Sequence, residues 1–270
     1  MQIIERIEPL RIALDEPRRG GKGIALVPTM GALHDGHLAL VGRARERAST
    51  AVMSLFVNPL QFGPNEDFAR YPRDRDGDAR AAEERGVDVL FAPQPDELYR
   101  AGHSVTVVPT ALASRWDGAA RPGHFAGVLT IVAKLFNIVQ PDVALFGQKD
   151  FQQVAPIRAM IRDLDFPIQL LVAPTVREAD GVALSSRNAY LSAPDRKRAR
   201  VLSRAIRTMR DAFDTGDTSS VALERLGTSL VQSEPAVQLE YLAVIHPETP
   251  EPAPIAAPGS VVASAARHGT

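Results

Sequence analysis

Apolar residues along this chain alternate between short unbroken runs and longer stretches in which they return every three or four positions. Ile24-Ala25-Leu26-Val27-Pro28 is a run of the first kind. A turn-rich stretch follows it, and residues 36–49 then place Leu38, Val41, Ala44 and Ala48 at helical spacing. Ala51-Val52-Met53-Ser54-Leu55-Phe56-Val57 has the length and β-branched content of a buried strand. Strand, loop, helix and strand in that order predict a βαβ unit. Helical sequence over 78–85 leads into Val87-Asp88-Val89-Leu90-Phe91, which extends the alternation expected of a parallel sheet.

Further along, Val128, Ile131, Val132, Leu135, Phe136 and Val139 fall on one helical face that should lie against the sheet. Residues 142–146 read as a strand, 151–162 as a helix and 167–172 as another strand. The doubly wound pattern therefore runs to about residue 173, and the rhythm then changes. Leu202, Ile206, Met209 and Phe213 mark a helix, a second helix covers 221–232, and 237–245 reads as a strand. Pro247, Pro250, Pro252, Pro254 and Pro258 argue for an extended loop after it. The expected fold is α/β: a doubly wound parallel-sheet domain over 1–174 and a smaller C-terminal α+β domain over 175–270.

Composition narrows the chemistry more than the fold. Lys plus Arg number 31 against 32 Asp plus Glu, a formal charge of -1, so no basic excess exists to neutralise a nucleic-acid backbone. The absence of cysteine excludes disulfides, thiolate zinc sites and cysteine nucleophiles. Charges within Met1-Gln2-Ile3-Ile4-Glu5-Arg6-Ile7-Glu8-Pro9 do not fit a signal peptide. The most apolar long segment, 127–139, is short of a membrane span and is interrupted by Lys134. A cytoplasmic protein with neither membrane nor nucleic acid as partner is expected.

Open parallel sheets bind ligands beyond the carboxyl ends of their strands, which here means the loops after Val27, Val57 and Phe146. The first reads Pro28-Thr29-Met30-Gly31-Ala32-Leu33-His34-Asp35-Gly36-His37. Two histidines at a helix start, with glycines that admit close backbone approach, supply imidazole donors and N–H groups for an anion such as a nucleotide phosphate. The second, Asn58-Pro59-Leu60-Gln61-Phe62, offers neutral amides suited to hydroxyl or carboxylate groups, although alone it reads as a turn. The third, Gly147-Gln148-Lys149-Asp150-Phe151-Gln152-Gln153, sets Lys149 to neutralise phosphate and Asp150 to accept from ribose hydroxyls. It would serve equally as a turn and N-cap. Leu184-Ser185-Ser186-Arg187-Asn188 combines hydroxyls with a guanidinium, a clamp for departing pyrophosphate or again a plain turn. Arg121-Pro122-Gly123-His124-Phe125 reads first as the entry to the long apolar helix. No P-loop is present, and the glycines at 20, 21 and 23 precede the first expected strand rather than following it, so no dinucleotide fingerprint is supported.

In these blocks, together with Tyr71-Pro72-Arg73, the chain resembles the pantothenate synthetase (pantoate–β-alanine ligase) family, within the nucleotidyltransferases that carry a His-x-Gly-His motif. The resemblance runs in order from Pro28 to Asn188. It implies a Rossmann-like domain, a C-terminal lid, a homodimer, and Mg²⁺ with ATP as co-substrate for joining pantoate to β-alanine. By the same resemblance ATP is bound by Met30, Gly31, Ala32, Leu33, His34, Asp35, Gly36, His37, Gly147, Gln148, Lys149, Asp150, Val176, Leu184, Ser185, Ser186 and Arg187. His37 is the implied catalytic acid, and Gln61 and Gln153 the implied pantoate ligands, with Asn58 beside them. No protein ligand for the metal is singled out. The family usually continues beyond an Ala-Ala-Arg-x-Gly-like segment, whereas this chain ends Ala265-Ala266-Arg267-His268-Gly269-Thr270, a departure expected to touch the lid rather than the site.

The chemistry expected is acyl activation. A pantoate oxygen attacks the ATP α-phosphorus, pyrophosphate leaves, and the β-alanine amine then displaces AMP from the acyl-adenylate. His34, His37, Lys149 and Arg187 are the expected catalytic group, stabilising charge on the phosphates. Two alternatives stand beside this reading. Another adenylate-forming or nucleotide-transferring member of the same group is the nearest, and among these an aminoacyl-tRNA synthetase core is disfavoured by the neutral charge and the lack of an evident RNA-binding region. A nucleotide-binding protein without turnover is disfavoured by the presence of all four of those residues.

Overall fold

The computed structural model describes residues 1–109, 115–247 and 251–268, so Pro250 and the terminal Gly269-Thr270 lie outside the described residues. The chain divides into two compact units, Met1–Thr175 and Val176–Thr270.

The first unit is built in the order β1 (Gln2–Ile4), α1 (Ile7–Arg19), β2 (Ile24–Thr29), α2 (Asp35–Arg45), β3 (Thr50–Leu55), α3 (Arg75–Glu84), β4 (Val89–Phe91), then the short helices α4 (Pro95–Leu98) and α5 (Asp117–Ala120). It continues with α6 (His124–Val139), β5 (Val143–Gly147), α7 (Phe151–Asp163) and β6 (Gln169–Ala173). The six strands form one sheet in the order β1-β4-β3-β2-β5-β6, every pairing parallel. From β2 the chain moves to β3 and β4 on one side and later to β5 and β6 on the other. The loops leaving β2 and β5 therefore diverge at a topological switch point, where doubly wound sheets bind ligands.

Both faces of the sheet are covered, which is why its strands are apolar throughout rather than alternating. Side chains at successive positions of β2 go to opposite faces. Ile24 and Leu26 pack with Leu10 and Leu14 of α1, Leu129 and Phe136 of α6, and Ile157 of α7. Ala25 and Val27 pack with Val41 and Ala44 of α2 and Ala82 of α3. On α2 the buried positions are Leu40, Val41 and Ala44, so Leu40 takes the place expected for Leu38, and Ala48 is buried beyond the helix end.

β1 and α1 have no counterpart in the apolar pattern. On α1 only Leu10 and Leu14 are buried, a face too sparse to register, and Pro17 lies in its last turns. The glycines at 20, 21 and 23 consequently follow α1 and precede the second strand of the sheet, not the first. At the amino ends of the strands two aspartates extend the ladder by one rung. Asp88 accepts from the Ala51 N–H at 2.7 Å, and Asp142 accepts from the Ile24 N–H at 2.7 Å.

The second unit contains α8 (Ala193–Arg198), α9 (Arg200–Asp214), α10 (Ser220–Gln232), β7 (Val237–Ile245) and β8 (Val261–His268), the last two antiparallel. α9 buries Val201, Ala205 and Met209, a face rotated from the expected Leu202, Ile206, Met209 and Phe213. β8, with its small residues Ala263, Ser264, Ala265 and Ala266, carries too little apolar bulk to stand out as a strand. In the described part of the proline-rich connection, single bridges join Ile245 to Pro252 and Ser219 to Ile255.

Two glycines give this packing a direct test. A Cβ on Gly127 of α6 would sit 2.2 Å from the Leu60 carbonyl oxygen, whereas one on Gly42 of α2 meets nothing within 4 Å. Gly127→Ala is expected to destabilise by about 1–3 kcal/mol or more, because backbone must move. Gly42→Ala, in a helix interior, should stabilise by roughly 0.5–1 kcal/mol. Thermal unfolding of the pair checks both signs; equal melting temperatures would refute the close approach.

Candidate active site

The loop after β2 begins from a fixed strand end. Thr29 Oγ1 donates to the Ser54 carbonyl at 2.6 Å, joining the last rungs of β2 and β3. The chain then enters the left-handed region twice, at Gly31 (φ 88°) and Ala32 (φ 49°). A Cβ at Gly31 would lie 2.9 Å from both Leu55 Cδ1 and Asp78 Oδ2, so glycine is required on conformation and on space. Ala32 holds a conformation that costs an L-residue energy. What holds it is Asp78 of α3, only 5% exposed, whose two carboxylate oxygens accept from the Ala32 N–H at 2.9 Å and the Leu33 N–H at 2.7 Å. Burial pushes the Asp78 carboxyl above its usual range, and these two N–H groups pull it back. Asp78 is the residue that the sequence reading missed as part of the site: its signal is one more acidic residue in a charged helix, 45 positions from its partner Leu33.

Held at this angle, the loop delivers His34 to the N-cap of α2. His34 Nδ1 accepts from the Gly36 N–H at 3.1 Å, and His37 Nδ1 accepts from the His34 N–H at 3.4 Å. The rings stack with centroids 4.0 Å apart. With each Nδ1 used as an acceptor, a neutral ring carries its proton on Nε2. Both rings are neutral at ordinary pH. Burial is the largest cause of the lowering at His34, with the Lys149 cation adding to it. His37 is pushed down to about 3, first by burial, then by His34 and Lys149, against the opposing Asp150 carboxylate. The expected acid at His37 is accordingly an Nε2–H hydrogen-bond donor in the ligand-free protein, because burial denies it the extra proton. The two imidazoles, the N-terminus of α2 and the Lys149 ammonium thus share one neighbourhood. Lys149 lies in the single turn Gln148–Asp150 after β5, with its Nζ 3.3 Å from Asp150.

Past β3, Asn58 and Gln61 bracket a short 3₁₀ turn and are both buried. Gln61 Nε2 points to the Met30 sulfur at 2.9 Å, placing this amide beside the histidine loop. Asn58 is 1% exposed, and both ends of its amide are taken up within the protein. One of those partners is Gln61 Oε1, so the two expected amides lie side by side. Arg121 and His124 do more than open α6: Arg121 pairs with both oxygens of Glu66, at 2.7 and 2.5 Å, and His124 Nδ1 lies 2.7 Å from the Gln61 carbonyl oxygen. On α7 the two adjacent glutamines differ. Gln152 is buried and tied to the Arg115 carbonyl and the Asp117 N–H, while Gln153 is partly exposed.

The remaining expected residues belong to the second unit. There Leu184 N–H donates to the Val176 carbonyl at 3.0 Å, and Arg177 pairs with Ala183, so a small hairpin sets Val176 beside Leu184. Gly181, at φ 95°, forms its turn. Ser185 caps the following 3₁₀ turn by accepting from the Arg187 N–H at 3.3 Å, which groups Ser185, Ser186 and Arg187. Among the described residues no three His, Cys, Asp or Glu side chains converge as a metal cage.

The sequence profile described as pantoate-beta-alanine ligase matches residues 2–270. The chain is 51% identical over 250 residues to the pantothenate synthetase of Thermus thermophilus, covering 92% of this chain and 88% of that one. Against the pantothenate synthetase of Heliobacterium modesticaldum it is 48% identical over 269 residues, covering 100% and 96%. A crystal structure of the Thermus thermophilus enzyme superposes with a TM-score of 0.94 over 99% of this chain and 95% of that one, at 47% identity. A Francisella tularensis pantoate-beta-alanine ligase, described as complexed with β-γ ATP and β-alanine, superposes with a TM-score of 0.78 over 98% and 97%, at 29% identity.

Two outcomes follow from the site's electrostatics. His37 falls from an ordinary 6.5 to about 3 on folding, so between those values the unfolded chain binds a proton that the native one refuses. Its contribution is present above pH 6.5 and lost as pH falls toward 3. His37→Asn should flatten that part of the acid limb of melting temperature against pH, and an unchanged limb would refute the neutral assignment. Asp78→Asn leaves one of two N–H groups without an acceptor and is expected to cost about 1–3 kcal/mol. Melting temperature should fall and the KM for ATP should rise together; a variant unchanged in both would show that the loop holds itself.

Proposed function

The chain belongs to the pantoate–β-alanine ligase family, and we propose that it makes pantothenate by ATP-dependent ligation of pantoate and β-alanine through a pantoyl-adenylate. The observation that supports this most is the pair of neutral imidazoles at the start of α2, each with Nδ1 engaged by backbone and Nε2–H left to donate. Donors of that kind at a helix N-terminus, with Lys149 beside them, suit a triphosphate.

In the first step a pantoate carboxylate oxygen forms a bond to the α-phosphorus. The bond from that phosphorus to the β-bridging oxygen breaks, and pyrophosphate leaves with the electron pair. His34, His37 and Lys149 donate to oxygens that gain charge as it leaves, interactions stronger in the transition state than in bound ATP. In the second step the β-alanine nitrogen attacks the acyl carbon, AMP departs with the carbon–oxygen pair, and the amine proton passes to solvent. Gln61 and Gln153 hold pantoate.

Residues 1–174 act as the nucleotide- and pantoate-binding domain and 175–270 as a lid, with Val176, Leu184, Ser185, Ser186 and Arg187 meeting ATP. Closure excludes water that would hydrolyse the adenylate. Mg²⁺ offsets triphosphate charge. Such an ion dehydrates reluctantly and would be held largely through the phosphate oxygens of ATP and water. A homodimer in the cytoplasm belongs to the same reading; among the described residues no helix is long and apolar enough to cross a membrane.

The test is exchange of labelled pyrophosphate into ATP. It should require pantoate and proceed without β-alanine, because the adenylate precedes the amide. Exchange without pantoate, or none in its presence, would sink the two-step scheme.

A further inference from the structure

The Asn58 amide is oriented by groups that cannot change role. Its Nδ2 lies 3.0 Å from the Gly127 carbonyl, which only accepts, and its Oδ1 lies 3.3 Å from the Leu60 N–H, which only donates. The second Nδ2 hydrogen therefore points at Gln61, 3.1 Å away, and Gln61 must answer with its carbonyl Oε1. This leaves the Gln61 Nε2 hydrogens facing the Met30 sulfur, a weak acceptor, at the edge of the histidine loop. Gln61 thus turns its NH₂ toward the histidine loop, where it can donate to oxygen lone pairs such as a carboxylate or a hydroxyl supplies.

The other end of this chain of amides is Tyr99. Its hydroxyl donates to Asn58 Oδ1 at 2.7 Å, the shortest of the bonds that Asn58 makes. The ring is wedged by Phe56 and His103, and Lys134, which interrupts the apolar face of α6, lies 5.6 Å above it. Burial raises the Tyr99 phenol, so it stays protonated, and toward the Asn58 carbonyl oxygen, which only accepts, it is the donor. Without it, Asn58 Oδ1 would be held by the long Leu60 bond alone.

We propose that Tyr99 is a positioning residue for substrate selection: through Asn58 it fixes the amide of Gln61 with its NH₂ toward pantoate. The inference rests on the assignment of Gln61 to pantoate made above. Removing the hydroxyl loosens one neutral hydrogen bond at one remove from the substrate, so it should act on pantoate and not on ATP.

Tyr99→Phe should raise the KM for pantoate about 2- to 10-fold, the range of one neutral hydrogen bond, with the KM for ATP near the parent value. Gln61→Glu keeps an acceptor for Asn58 but turns an acceptor on the substrate. It should lower kcat/KM for pantoate roughly 10²-fold or more while ATP still binds. Pantoate-dependent pyrophosphate exchange reads both variants, and Tyr99→Phe decides alone if Gln61→Glu does not fold. An unchanged pantoate KM in Tyr99→Phe, equal rises for pantoate and ATP, or a Gln61→Glu enzyme that uses pantoate as well as the parent would overturn the proposal. If the parent enzyme shows no pantoate-dependent exchange, the family-based reading fails and this inference with it; normal parent exchange with an indifferent Tyr99→Phe removes this inference alone.

Discussion

The site depends on one carboxylate gripping two consecutive backbone N–H groups. Asp78 reaches from α3 to Ala32 and Leu33 and holds a stretch of chain whose dihedral angles an L-residue avoids. Were Ala32 free to relax toward the right-handed or extended regions, the chain would leave β2 along another direction and α2 would start elsewhere. Leu55 and the carboxylate press on the α-carbon of Gly31 from the same side, so the turn is constrained by packing as well as by hydrogen bonds. The histidines do not position themselves; they inherit their place from a side chain more than forty residues away.

That inherited geometry decides the charge state of the site. At His37 the desolvation of a second proton outweighs every other influence, and the nearby Lys149 cation works in the same direction. Asp150 opposes it and loses. A pocket wall made of neutral donors, one ammonium and a helix N-terminus has an unmet preference for negative charge. On the function proposed above, an arriving triphosphate would satisfy that preference without having to displace protons first.

Much of the fold was legible because it rests on local period. β2, β3, β5, α6 and α7 carry unbroken or three-to-four-spaced apolar residues, and burial on both sheet faces leaves that pattern undisturbed. Where few large residues are buried the pattern fails: α1 needs only Leu10 and Leu14, and β8 is largely alanine and serine. On α2 and α9 the apolar spacing marks a helix but not its buried face: Leu40 is buried rather than Leu38, and Val201 and Ala205 rather than Leu202 and Ile206. At the site the histidine pair was legible because its capping bonds span three residues. The contacts of Asp78 and Tyr99 were not legible at all, because their partners are 41 to 46 positions distant.

The same device appears at both ends of the sheet with opposite consequences. At the amino ends, Asp88 and Asp142 each accept one N–H from a neighbouring strand, at Ala51 and Ile24, and so add a rung to a regular ladder. At the carboxyl ends Asp78 accepts two N–H groups from a segment that has already left the ladder. In the first case the carboxylate extends an arrangement that the strands would adopt anyway; in the second it imposes one that the chain would refuse. A parallel sheet offers unpaired N–H groups at either end, but only at the carboxyl end do the strands run on into helix N-termini, where a fixed loop also fixes donors aimed outward. A buried carboxylate accepting two N–H groups there fixes the start of α2, whereas the single N–H taken by Asp88 or Asp142 only closes the other end of the sheet.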